Sequence, residues 1–166
     1  LDAVRRLGWP TGKTLGAGVV DGRGVWRVDP DRALSVLAEL AAVVPPERLI
    51  VQPSCSLLHV PVTVRGERSG DPVVRGALAF ADEKLEELVA LAEALERRWA
   101  AKAKGGNVRA GTGARDAGLP AAGTAFGETD AADAGAAGWP DAGLPPRLAE
   151  NRAALEALRN HPTRHR

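Results

Sequence analysis

Cys55 and His59 stand four residues apart in PSCSLLHVPV (53–62), and Cys55 is the single cysteine of the chain. A thiol and an imidazole can share a metal ion, or act together as a nucleophile and its base. On a helix, positions i and i+4 share a face and one metal could take both. On an extended strand the same spacing separates the Cα atoms by about 13 Å, too far for one ion. LIVQPS (49–54) precedes them and reads as a strand, which favours the extended case. No second cysteine is available, and His161 and His165 lie far along the chain. Cys55 is therefore expected as a small packed side chain and His59 as a hydrogen-bonded core group.

Two glycine-rich stretches suggest nucleotide chemistry and fail on spacing. GWPTGKT (8–14) has three residues between its first Gly and its Gly-Lys pair. A phosphate-binding loop needs four, and it follows a strand and opens a helix, whereas this stretch precedes one. GAGVVDG (16–22) has the rhythm of a dinucleotide fingerprint with one residue too many before its last Gly, and its glycines start inside a strand. Gly16, Ala17 and Gly18 are expected instead to let a neighbouring element pack closely.

The elements that would position these residues are legible. TLGAGVV (14–20) and LIVQPS (49–54) are short apolar runs without alternation, the pattern of parallel strands covered on both faces. Between them Asp29 can cap a helix, Pro30 suits its first turn, and Pro45-Pro46 stops it. Leu34, Leu37, Leu40 and Ala41 form the sheet-facing stripe. A second long helix is expected from about Asp71 to Trp99, with Leu78, Leu85, Leu88, Leu91 and Leu95 on its apolar side. Its charges, Asp82 to Glu87 and Glu96 to Arg98, are then a solvated face. LDAVRRLGWP reads as the end of a helix already under way, and the chain has no methionine, so a natural start is expected upstream.

Residues 102–145 are rich in Ala, Gly and Asp and poor in large aliphatic side chains, so they are expected to form a disordered insertion. After Pro145-Pro146 a helical pattern returns, with Leu148, Leu155 and Leu158. Lys plus Arg number 22 against 21 Asp plus Glu, without basic runs, which gives no footprint for nucleic acid. No apolar run approaches the roughly 20 residues of a membrane span. The lone cysteine fits a reducing, cytoplasmic setting.

Two strands cannot make a stable sheet alone. The arrangement fits a piece of a (β/α)8 barrel, with an open doubly wound sheet as the alternative. In the barrel, Asp21 and Arg23 after the first strand and Ser54 and Ser56 after the second would share the carboxyl-end rim.

VVDGRGVWRVD, LIVQPSCSLLHVPV and ALAFADEKLEELVALAEAL, in that order, resemble the amino-terminal barrel of cobalamin-independent methionine synthase. This family is the zinc-dependent 5-methyltetrahydropteroyltriglutamate–homocysteine methyltransferase. The resemblance covers about residues 1–100, and ENRAALEALRN is similar to the helix leading out of that barrel. Asp21, Gly22, Arg23 and Trp26 match the family's segment, while Gly24 stands where Asn is usual; the 102–145 insertion and the closing HPTRHR depart from the pattern. The resemblance implies an α/β chain holding the last two β/α units of the first barrel (1–101), the insertion (102–145), and a helix (146–166) leading toward a second barrel. It implies zinc ligands (a His, a Glu and two Cys) in that second barrel and folate-tail contacts upstream, so no catalytic, cofactor or metal residue is carried onto this chain. The partners implied are the second barrel, homocysteine and methyltetrahydrofolate polyglutamate. The residues here would supply scaffold and an interdomain rim of Asp21, Arg23, Ser54 and Ser56. Two further readings stand beside this: an interaction module working through helix 71–99, and a decayed reading frame without function.

Overall fold

The computed structural model describes residues 1–68, 70–105 and 144–162. The expected insertion lies almost wholly outside them. The chain begins with α1 (Asp2–Leu7), which ends at Gly8 in the left-handed region, φ 73°. A glycine there ends a helix without steric cost. β1 (Leu15–Val20) follows, then α2 (Pro30–Ala41), β2 (Leu49–Pro53), α3 (Pro72–Gly76), α4 (Ala81–Gly105) and α5 (Pro146–Arg159).

The β1–α2–β2 unit forms as the residues predict. Asp29 accepts a hydrogen bond from the Arg32 amide, and Pro30 opens α2 where its missing N–H costs nothing. Ala33, Leu34, Leu37 and Leu40 are buried on one side of α2. β1 and β2 pair in parallel, with Leu15 opposite Leu49 and Gly18 opposite Gln52, and the register shifts between Gly18 and Val20. A Cβ on Gly16 would lie 2.5 Å from the Gln52 amide nitrogen, and one on Gly18 would lie 3.0 Å from the Ser54 Cα. The small residues thus permit the close strand approach their spacing predicts.

Among the described residues the sheet has these two strands, and only one face is covered. Ala17 and Val20 join α2, α4 and Leu148 of α5 in one apolar core, with Leu15, Leu49 and Val51 packed against it. Gly16, Gly18, Ile50 and Gln52 are exposed. The expectation of burial on both faces is corrected here: the apolar run through Ile50 has no covering layer among the described residues. The fold is mixed α/β.

The long helix expected over 71–99 is two helices. Asp71 caps α3 through the Val73 amide, and α3 stops at Gly76. Residues 77–80 are then extended enough for Leu78 to bridge Trp26. The Ala77 carbonyl accepts from the Arg27 amide at 2.9 Å, and the Ala79 amide donates to the Val25 carbonyl at 2.8 Å. Pairing with residues 25–27 competes with helical bonds and wins. α4 then begins at Ala81 and turns a different side inward. Leu91 and Leu95 are buried, but Leu85 is 53% exposed, and Glu83, Lys84 and Glu87 are among the most buried residues of the chain. The solvated-face reading is corrected for those three charges; Glu96, Arg97 and Arg98 are exposed as expected.

Candidate functional site

The loops that leave the carboxyl ends of β1 and β2 are stitched together. The Ser54 amide donates to the Val20 carbonyl at 2.7 Å, extending the strand pairing by one bond. The Gly22 amide donates to Ser54 Oγ at 3.1 Å. Gly22 is buried against Cys55: a Cβ there would lie 2.5 Å from the Cys55 carbonyl oxygen and 2.9 Å from Sγ. Asp21 folds its carboxylate back onto its own turn, accepting from the Arg23 amide at 2.9 Å. That bond, with a second from the Gly24 amide, holds the exposed Asp21 carboxyl below its ordinary range despite some desolvation. A Cβ on Gly24 would sit 2.5 Å from Asp21 Oδ2, so a larger residue at 24 requires the carboxylate to move.

Three of the four residues expected on a rim are neighbours in the structure: Asp21 and Arg23 in one turn, Ser54 bonded to the glycine between them. Ser56 is occupied differently. Its Oγ accepts from the Leu58 amide at 3.4 Å and caps a single 3-10 turn, Leu57–His59. Leu58, 91% exposed, and Val62, 69% exposed, follow on the same loop.

Cys55 and His59 both lie beyond β2, and the intervening 3-10 turn means the extended-strand distance does not apply to them. His59 is exposed, which corrects its reading as a core group. Cys55 is partly buried, with Sγ 3.8 Å from the Ser56 carbonyl oxygen. Among the described residues no three His, Cys, Asp or Glu side chains gather to hold a metal ion, so the donor set that zinc requires is not formed by them. In GWPTGKT the Trp9 indole donates to the Lys13 carbonyl at 2.8 Å, and no helix opens there.

Around residues 26–28, just after the loop 21–24, lies a buried polar cage that the expected solvated face did not include. Glu83 accepts from Thr63 Oγ1 at 2.7 Å, from the Val64 amide at 3.1 Å and from the Phe80 amide at 3.1 Å. Burial works to raise its pKa, but these donors outweigh it and hold the carboxyl below its usual range. Lys84 Nζ donates to the Trp26 carbonyl at 3.0 Å. Burial pulls the Lys84 pKa down, opposed by Glu87 and Asp21. Glu87 Oε1 accepts from the Val28 amide at 3.2 Å and from Asn151 Nδ2 at 2.7 Å. Its Oε2 is buried with no hydrogen-bond partner among the described residues. Burial pushes the Glu87 carboxyl up, against the pull of those donors and of Lys84 and Arg147. A signal was available: counting back from Leu95 and Leu91 in steps of three and four reaches Glu87, Lys84 and Phe80.

The first 45 residues match the family model described as "Cobalamin-independent synthase, N-terminal domain". Over its matched stretch, this chain is similar to the amino-terminal domain of cobalamin-independent methionine synthase. Curated relatives named 5-methyltetrahydropteroyltriglutamate–homocysteine methyltransferase include those of Listeria welshimeri, 52% identical over 95 residues, and Listeria monocytogenes, 54% identical over 95 residues. The Halalkalibacterium halodurans protein is 48% identical over 88 residues. The two Listeria matches cover 57% of this chain and 12% of each relative. The Halalkalibacterium match covers 53% and 12%.

Proposed function

We propose that residues 1–101 serve as the last two β/α units of the amino-terminal (β/α)8 barrel in a methyltransferase that makes methionine from homocysteine. The methyl group would come from 5-methyltetrahydropteroyltri-L-glutamate, and the enzyme would work in the cytoplasm. The observation carrying this reading is the parallel β1–β2 pair with its open face and stitched carboxyl-end loops, in a chain about half identical to those methyltransferases over the matched stretch. A parallel pair with uncovered Ile50 and Gln52 needs further strands and an interior layer, which a closed barrel provides.

In this reading Asp21, Arg23, Ser54 and Ser56 form a rim facing a second barrel, which holds the zinc. They position and do not catalyse. When bound there, zinc supplies a Lewis acid that lowers the thiol pKa of homocysteine. This chain's share is geometric. Asp21 and Ser54 fix the loop 21–24, and the exposed Arg23 guanidinium is left to meet the facing barrel. The region 102–145 acts as a dispensable insertion, and 146–166 as the helix leading toward the second barrel. The reading of helix 71–99 as a partner-binding surface loses its support, because Leu91 and Leu95 are already spent in the core.

The test is a chimera in which residues 1–101 replace the matched segment of the Listeria monocytogenes relative, assayed beside the 166-residue chain. The chimera should transfer methyl groups. The isolated chain should show neither transfer nor stoichiometric zinc. One tightly held zinc in the isolated chain, lost on Cys55→Ser, or a folded but inactive chimera, would overturn the proposal.

A further inference from the structure

We propose that α5 is a latch for the rim, and that Asn151 is the residue through which it locks. The inference uses the polar cage alone and stands whether or not the methyltransferase reading holds.

Residues 25–28 leave the rim loop 21–24 and lead into α2. Their backbone is gripped from three sides. Residues 77 and 79 take the Arg27 amide and the Val25 carbonyl, Lys84 takes the Trp26 carbonyl, and Glu87 takes the Val28 amide. The last side is closed by α5. Asn151, with no exposed surface, points its amide into the cage: Nδ2 lies 2.7 Å from Glu87 Oε1 and 3.5 Å from the Val28 carbonyl. Its Oδ1 accepts from Arg27 Nη1 at 2.9 Å. One side chain thus supplies a donor to a buried carboxylate and an acceptor to a partly buried guanidinium, 64 and 124 residues away in sequence.

An apolar helix could dock on α2 and α4 through Leu148 alone. The amide adds a requirement for register. If α5 slides or departs, Glu87 keeps only the Val28 amide and Arg27 loses its acceptor, and both groups sit where unmet polar atoms are costly. The outer contacts follow the same register. Arg152 pairs with Asp31 at 2.6 Å and Arg159 with Asp29 at 2.8 Å, both acidic groups at the start of α2. Arg147 pairs with Glu86 at 3.1 Å. With α5 docked the cage is complete and residues 25–28 are fixed. With α5 away the cage opens on the segment next to the rim, and the loop 21–24 gains freedom while α4 persists.

Amide hydrogen exchange on the 166-residue chain tests this. Asn151→Ala should speed exchange of the amides of 147–158 and of 22–28 by about tenfold or more, the loss of one buried hydrogen-bonded group. Residues 85–95 of α4 should stay protected within about twofold. Arg159→Ala, which removes only an exposed ion pair, should leave both regions unchanged. Should Asn151→Ala fail to fold, Asn151→Asp decides: it removes the Nδ2 donor and sets a second carboxylate against Glu87, a repulsion that the facing Arg27, Lys84 and Arg147 offset in part and that protonation of either carboxyl relieves. Compared with the parent chain at the same pH, which carries the same His161–Asp71 contact, α5 and 22–28 of that variant should keep their protection in mild acid and lose it at neutral pH. Unchanged exchange at 22–28 in Asn151→Ala, or an Asn151→Asp chain whose protection relative to the parent is the same at both pH values, overturns the proposal.

Discussion

The Gly22 amide donates to Ser54 Oγ at 3.1 Å, and this one bond joins the loops that follow the two strands. It lies just past the last backbone bond of the ladder, Ser54 N to Val20 O. The strands hold the two loops near each other, and the hydroxyl fixes their separation.

Ser54→Ala should therefore loosen the two loops without unpairing the strands. Gly22 is buried, so its amide would be left without a partner at a cost of about 1–2 kcal/mol. Chemical denaturation should show that loss. Exchange should quicken at Gly22 and stay slow at the amides of β1. Equal quickening along β1 would show that the hydroxyl supports the whole sheet.

Gly22→Ala probes the same contact from the other side. The added methyl would meet the Cys55 carbonyl oxygen at 2.5 Å, and backbone cannot swing aside as a side chain can. A destabilisation of about 1–3 kcal/mol is expected. Removing the thiol as well, with Cys55→Gly, should not restore stability, because the tighter clash is with the carbonyl. Full rescue by the second change would place the conflict at Sγ instead.

Glu83 stabilises the start of α4. It is the third residue of the helix and reaches back to the Phe80 amide, one half of a capping box, while also serving Thr63 and Val64. Its folded pKa is depressed, so its contribution is present above the unfolded value of about 4.3 and is lost as pH falls through the lower folded value. Glu83→Gln should cost about 2 kcal/mol near neutrality, as for hydrogen bonds to a charged group. The gap to the parent chain should narrow in acid. A gap that stays constant down to about pH 3 would show that the charge of Glu83 contributes nothing.

Much of this architecture is legible from local residues. Asp29-Pro30 and Pro45-Pro46 bracket α2, and LGAGVV and LIVQP announce the strands, because caps, prolines and short apolar runs act within a few residues. The turn at Asp21 is legible for the same reason. The polar cage is legible only in part: the helical count from Leu95 and Leu91 puts Glu87 on the inward side but does not give its partners. Judged by its charge alone, Glu87 reads as solvent-facing. What permits its burial is the Val28 amide 59 residues before it and the Asn151 amide 64 residues after it. The break at 77–80 is hidden likewise, since its cause is pairing with residues 25–27. Of the leucines at 78, 85, 88, 91 and 95, only Leu78 needs one continuous helix to join the others. The break detaches Leu78, and within α4 the inward side set by Leu95, Leu91, Glu87 and Lys84 leaves Leu85 outside.

Glu87 gives the last prediction, opposite in sign to that of Glu83. Burial raises its folded pKa, so it favours folding most below the unfolded value and loses that contribution as pH rises through the folded value. At neutral pH the parent chain carries a buried carboxylate whose Oε2 has no donor among the described residues, near Lys84, Arg27 and Arg147. Glu87→Gln keeps an acceptor for the Val28 and Asn151 amides and removes the titration. The difference in unfolding free energy should therefore move in favour of Glu87→Gln between about pH 4 and pH 7. Glu87→Ala, which removes the acceptor as well, should cost about 3–5 kcal/mol across that range, as expected when one member of a buried charged network is deleted. Urea titrations of the three chains at several pH values provide the comparison. Parallel pH profiles for the parent and Glu87→Gln would mean that the nearby cations fully offset burial of the carboxylate.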